Sequence, residues 1–266
     1  MMNARHLLLL VLVAGLLGLS ACGRKRDERA AQQPPAPAAE PGTPAAGAGA
    51  DRSGPGEAPV DPQYASIEFL MSQPLATENE IAIGNLYLNQ GNVDSALVHY
   101  LQATRLDPKN LAAWNYAGIA QARLGRYAEA KESYLKAVDL DAFDLHTHVN
   151  LGNLYFRQEL FDQASKEYLL ATSIDSTSAR AWLNLGLAYE RLKLVNPAIL
   201  AYNKAAECDL QDAKALERLG WIYVDKMLYE AATDRWQKAV ARDPSRQDLV
   251  QNIAAIKAYT DSTGTR

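Results

Sequence analysis

Apolar residues in the second half of the chain recur with two nested periods. In "AWLNLGLAYERLK", residues 181–193, Trp182, Leu185, Gly186 and Tyr189 stand at i, i+3, i+4 and i+7, the stripe of one helix face. The stretch that follows, "PAILAYNKAAECDL", repeats the pattern with Ala198, Tyr202 and Ala205. Two helices per unit follow, and the unit itself recurs: Gly84, Gly118, Gly152, Gly186 and Gly220 are spaced 34 residues apart. Four further glycines in register would arise by chance with a probability on the order of 10⁻⁵ at average glycine usage. Ala96, Ala130, Ala164, Ala198 and Ala232 keep the same step, as do Ala103, Ala137, Ala171, Ala205 and Ala239. Tyr100, Tyr134, Tyr168, Tyr202 and Trp236 form an aromatic series. Small residues let two helices approach closely while the aromatics fill the space beside them, so the unit is a packed helical hairpin.

Local signals divide the hairpins. Pro197 fits the first turn of a second helix, where a missing N–H costs little. Asp107-Pro108 and Asp243-Pro244 mark helix exits, and Thr77 with Glu80 reads as a capping box opening the first unit. Five units are expected at 77–110, 111–144, 145–178, 179–212 and 213–246. Residues 63–76 are expected to form a short leading helix. In 247–266, Val250, Ile253 and Ala254 at helical spacing predict a capping helix and tail.

A 34-residue helix-turn-helix unit with these small and aromatic positions resembles the tetratricopeptide repeat. The resemblance implies an all-α fold, an α-solenoid superhelix of five such units plus the C-terminal capping helix. Its departures are Gln121 where the other units have tyrosine, His148 in the place of Trp114 and Trp182, and a closing proline kept only at Pro108 and Pro244.

The first 62 residues follow other rules. The apolar run Leu7–Leu19 is thirteen residues long, short of the roughly 20 a spanning helix needs. Arg5 in a short leading segment, the leucine-rich run and small residues after it compose a secretory signal. Leu19-Ser20-Ala21-Cys22 resembles a bacterial lipobox, which implies a signal peptide at 1–21, cleavage before Cys22 and lipid, palmitate included, on that cysteine. Gly23, rather than an acidic residue, resembles the default for sorting to the outer membrane, with the repeats facing the periplasm. Residues 23–62 are mostly Ala, Pro and Gly and cannot offset their ordering entropy, so they read as a disordered tether with a root-mean-square span of ~35 Å. With Cys22 committed to lipid, Cys208 is left alone and no disulfide framework is available.

Charge and chemistry narrow the function. The net charge is −4, and the basic cluster Arg24-Lys25-Arg26 is small, which argues against nucleic acid as a partner. His146 and His148 are two apart and diverge on a helix, and no phosphate loop, nucleophile elbow or cysteine cluster is present. No enzymatic activity and no cofactor or metal are expected. The family lines its concave face with first helices, and the matching positions here carry Arg123, Arg157, Arg180, Arg191, Lys214 and Arg218 against Glu78, Glu190, Glu217 and Asp225. That face leans basic toward its C-terminal half and favours acidic or carboxylate-bearing partners. Family members that grip a terminal carboxylate use lysines, asparagines and an arginine, and the matching positions are Asn153, Asn184, Lys214 and Arg218, with Val149 standing where the first lysine belongs. The layout implies a membrane-anchored scaffold for envelope proteins or peptides, or an assembly factor such as a type IV pilus biogenesis lipoprotein.

Overall fold

A computed structural model describes residues 67–72 and 75–264. The signal peptide, Cys22, the tether and residues 63–66 lie outside the described residues. Twelve helices and no strand occur among the described residues: α1 (Ile67–Ser72), α2 (Thr77–Asn89), α3 (Val93–Leu106), α4 (Leu111–Arg123), α5 (Tyr127–Leu140), α6 (Leu145–Arg157), α7 (Phe161–Ile174), α8 (Ala179–Arg191), α9 (Val195–Cys208), α10 (Lys214–Asp225), α11 (Tyr229–Arg242) and α12 (Gln247–Thr263). Helices α2 to α11 form five hairpins, each packed on the next, with α1 against α2 and α12 against α11. The architecture is the all-α solenoid that the 34-residue step predicts.

Each hairpin closes on one contact. The ring of Tyr100, Tyr134, Tyr168 or Tyr202, at most 2% exposed, lies on the glycine of its own first helix. A Cβ at Gly84, Gly118 or Gly186 would sit 2.5 Å from the tyrosine Cε1, closer than real carbon contacts come. In the fifth hairpin Trp236 takes the tyrosine's place over Gly220, and its Nε1 donates to the Glu217 carbonyl at 3.1 Å. The Ala96 and Ala103 series are fully or almost fully buried where the two helices touch.

The turns inside hairpins end the first helix with one left-handed residue. Gly91 and Gly125 fill that position in the first two repeats, whereas Glu159, Lys193 and Met227 adopt φ of 61° in the last three. The N–H of the next residue returns to a carbonyl five back, as Leu160 does to Tyr155 and Leu194 to Tyr189, which satisfies the orphan carbonyls of the helix end. Between hairpins an aspartate series does the equivalent work. Asp107, Asp141, Asp175, Asp209 and Asp243 each close a second helix, and each carboxylate accepts from the N–H two residues on, at 2.8 to 3.1 Å. Asn110, Asp144 and Ser178 then cap the next helix through the N–H three residues ahead.

The departures from the repeat pattern are matched by local partners. Trp114 and Trp182 donate their indole N–H to the carbonyls of Pro108 and Ser176, six residues back, at 2.9 Å. His148, in the same place, makes the equivalent bond from Nε2 to the Ala142 carbonyl at 3.0 Å. Gln121 is buried, and its amide nitrogen, 2.6 Å from the Ser133 hydroxyl, also faces the Ala117 and Glu129 carbonyls, both at 3.2 Å, to which it donates. The expected capping box does not form. Helix α2 is capped at Ala76 without a side-chain bond, because the Glu80 carboxylate is drawn across to His99 Nδ1 at 2.8 Å. Cys208 ends α9 and is exposed.

Replacing Gly118 by alanine is expected to cost about 1–3 kcal/mol, the usual range for overpacking, because Tyr134 has no room to retreat. Ala254 stands 34 residues after Gly220 in α12 and is exposed, with no aromatic ring upon it. Urea unfolding should therefore show Ala254→Gly losing no more than the ~1 kcal/mol of helix propensity.

Candidate functional site

Consecutive first helices α2, α4, α6 and α8 touch one another, a closeness that consecutive second helices do not reach. The stack therefore bends with its first helices on the inner side, and the residues they present there form the groove.

The groove residues expected to act together each have partners within the array. The Asn153 side-chain oxygen accepts from the Tyr168 hydroxyl at 2.7 Å and from the Asn184 amide at 3.0 Å, so these two asparagines tie the third repeat to the fourth. Val149 is 5% exposed and packs with Ala171 and Ala181 in the core, so its position faces inward. Lys214 lies 3.6 Å from Asp212. Arg218 lies 3.4 Å from Glu190, whose other oxygen accepts from the Tyr202 hydroxyl at 2.7 Å. Burial is the largest influence on Arg218 and disfavours its charge, but Glu190, Tyr202 and Glu217 together outweigh it, and its pKa is raised. Glu217 turns away to Arg246 at 2.7 Å.

The remaining cations differ. Arg123, Arg157 and Arg191 hold the same register in α4, α6 and α8, at the C-terminal end of each helix, and all three are exposed. None forms an ion pair with a carboxylate among the described residues. Arg157 donates to the Ala122 carbonyl of the preceding repeat at 3.3 Å, and Arg191 stacks 4.4 Å over Phe161. Asp225 occupies this register in the fifth repeat and ends the row. The basic lean expected toward the C-terminal half is largely neutralised there, and the uncompensated charge stands in repeats two to four.

Residues 81–144 match the family described as tetratricopeptide repeat, residues 179–212 do so again, and residues 152–193 match a TPR repeat. These are tetratricopeptide repeats. The array is similar to the crystal structure of MamA, at 25% identity and a TM-score of 0.57, over 62% of this chain and 96% of that one. Pseudomonas aeruginosa PilF shares the fold at 20% identity and a TM-score of 0.62, over 70% and 86% of the two chains. YrrB, described as a TPR protein with an unusual peptide-binding site, shares it at 22% identity and a TM-score of 0.53, over 65% and 90%. Superkiller protein 3 of Schizosaccharomyces pombe is 45% identical over 49 residues, which span 18% of this chain and 4% of that protein.

Two buried polar systems in the tetratricopeptide array were not foreseen. The first is the phenol series. Tyr100 donates to Asn85 at 2.8 Å, Tyr168 to Asn153 and Tyr202 to Glu190, whereas Tyr134, 2% exposed, faces Ile119 and Ala122 at the equivalent positions. Neither side chain carries an acceptor. Burial pushes the Tyr134 phenol well above its ordinary pKa, while the charges of Arg157 and Arg123 pull the other way. The second system is a pair of imidazole–carboxylate contacts, Glu80 to His99 in the first repeat and His148 to Glu167 at 2.9 Å in the third. The 34-residue alignment shows that the acid and the imidazole exchange helices between the two repeats.

His148 is 3% exposed and has an acceptor on each ring nitrogen, the Glu167 carboxylate and the Ala142 carbonyl. Only the imidazolium donates to both. The bond to Glu167 raises its pKa above 6.5, burial opposes the rise, and the Ala142 bond and the Glu167 and Asp144 charges add to it. Since the folded value is the higher, the associated stability is fully present below pH ~6.5 and is lost as pH climbs through the raised folded pKa. Denaturant midpoints should fall across that window in the natural chain and stay flatter in His148→Gln.

The phenols give a separate test. Tyr100→Phe and Tyr168→Phe should each lose about 1 kcal/mol with their hydrogen bonds, and Tyr134→Phe should stay within ~0.5 kcal/mol of the natural chain in urea unfolding.

Proposed function

We propose that this chain is a lipid-anchored adaptor of the bacterial cell envelope. In this reading the signal is cleaved before Cys22, that cysteine carries the lipid, and the tether lets the array work at a distance from the outer membrane on its periplasmic side. Lipid anchoring of this kind needs at least two acyl chains, because each buried methylene contributes only ~0.8 kcal/mol. The array then holds envelope proteins or their peptide segments. No catalytic step is assigned to it.

The observation that carries the scaffold reading is the groove itself, an open inner face on which Arg123, Arg157 and Arg191 hold positive charge without a carboxylate of their own. Asn153 and Asn184 serve the joint between repeats and border the same face. Lys214 and Arg218 are open to a ligand carboxylate by exchange with Asp212 and Glu190. YrrB, of the same fold, is described as having a peptide-binding site. The second reading, an assembly factor of an outer-membrane complex such as the type IV pilus lipoproteins, is compatible with the fold shared with PilF.

Metabolic labelling with an alkyne palmitate, followed by envelope fractionation and crosslinking, tests the anchor and the partner together. The natural chain should carry label, sediment with outer membrane and crosslink to envelope proteins. Cys22→Ser should lose the label and leave the membrane fraction. A labelled Cys22→Ser chain would sink the anchor, and recovery of a secretin multimer, lost on deletion of the gene, would favour the assembly-factor reading over the adaptor.

A further inference from the structure

Stacked hairpins put all the turns inside hairpins along one edge of the array and all the joints between hairpins along the other. Charge alternates with the repeat on both edges. Among the turns, residues 123–128 carry Arg123 and Arg126 and residues 191–196 carry Arg191 and Lys193, with no acid in either, so each is net +2. The turns at 89–94, 157–162 and 225–230 are each net −1. Among the joints, residues 139–144 carry Asp139, Asp141 and Asp144 and residues 207–212 carry Glu207, Asp209 and Asp212, with no base in either, so each is net −3. The joints at 105–110 and 241–246 are each net +1, and the joint at 173–178 is net −1. The basic turns and the acidic joints thus belong to the same two hairpins, the second and the fourth.

Both edges also expose apolar side chains. Phe143 and Leu210, 75% and 67% exposed, stand in the two acidic joints. On the turn edge the exposed Leu160, Leu194 and Leu228 occupy the N-cap of α7, α9 and α11 and make no cap bond, whereas Asn92 of the first hairpin accepts from the Ser95 N–H. Leucine is a poor cap, so these three positions trade helix-end stability for exposed apolar surface.

We propose that copies of this chain associate edge to edge, the turn edge of one array on the joint edge of the next. A neighbour displaced along the hairpin axis without rotation sets turn against joint at the same level of the stack. Net +2 then meets net −3 at the second and fourth hairpins, and opposite signs meet at the first and fifth as well. Only the third level pairs like signs, at −1 each. At the fourth level the same displacement brings Leu194 to Leu210. Arg126, Glu207 and Asp212 have partners of their own in Asp94, Lys204 and Lys214 at 2.8 to 3.7 Å, surface pairs that contribute little and exchange readily. An anionic membrane or an acidic partner would answer the turn edge alone, whereas a second copy answers both edges. The contact is heterologous and leaves each copy one edge open, so association extends as a row. This inference goes beyond the adaptor reading and needs neither its anchor nor its groove.

Sedimentation velocity of the purified full-length chain at low ionic strength, in nonionic detergent to occupy its leader, tests the contact. The natural chain should grow past the dimer as concentration rises and return to monomer at high salt. Two variants separate the edges. Arg126→Glu/Lys193→Glu lies outside the groove row, and Asp139→Lys/Phe143→Ser/Glu207→Lys uses exposed side chains. Each should weaken self-association at least about tenfold. Mixed together, the two should form a one-to-one dimer that grows no further, because each brings the edge that the other lacks. Melting curves of each variant show that it folds. A monomeric natural chain, a natural chain that stops at a dimer, undiminished association of either variant, or a mixture that stays monomeric would overturn the proposal. Growth driven by the leader would persist equally in both variants and so counts against it. Palmitate labelling at Cys22 involves none of the substituted residues, so failure of the edge contact leaves the anchored adaptor standing, and an unlabelled natural chain leaves the edge contact standing.

Discussion

An aromatic ring seated on a glycine sets the geometry of every hairpin in this array. The contact brings the two helix axes close enough for the alanine series to seal the seam, and it leaves each ring's polar end facing the first helix. Because the same contact recurs at each 34-residue step, the hairpins are nearly identical bodies, and stacking them produces a regular bend. The groove is a consequence of that regularity. Which chemistry appears along it depends on the few positions where the phenol ends and the first-helix side chains meet.

Those positions show how proximity within the array edits a charge pattern. Arg218 and Lys214 are cations in the chain, yet Glu190 and Asp212 stand beside them, so much of the field they would project into the groove is cancelled locally. Arg157 meets a carbonyl and Arg191 aromatic faces, and neither they nor Arg123 pairs with a carboxylate among the described residues, so net positive charge stays in place. The inner face therefore differs from the chain average in sign and is uneven along its length.

Most of the architecture was legible because it is written as a period. The glycines, alanines and aromatics at a step of 34 predict the hairpins, their number and the cap, and the turn signals place the boundaries closely. The aspartate that closes each second helix is equally periodic, but local spacing marks a helix exit only where proline follows it, at Asp107 and Asp243. What periodicity conceals is partnership across helices. Glu80 has the spacing of a capping box, but its partner is His99 on the facing helix. Asn153 and Asn184 read as ligand donors, and each is bonded to the other across a repeat joint. Gln121 and His148 look like lapses in the pattern until Ser133, Glu167 and the Ala142 carbonyl are in view, since those contacts join residues that no local spacing relates.

The exchanged acid and imidazole of the first and third repeats carry a lesson for anyone rearranging this array. Moving α6 alone into the first hairpin would set an imidazole against His99, and moving α2 alone into the third would set Glu80 against Glu167. Each such graft buries two like groups where opposites had met. Transferring a whole hairpin keeps both pairs intact. The portable module is thus the helix pair, and duplication or recombination that respects its borders preserves the buried polar contacts, while a crossover in the turn between its two helices scrambles them.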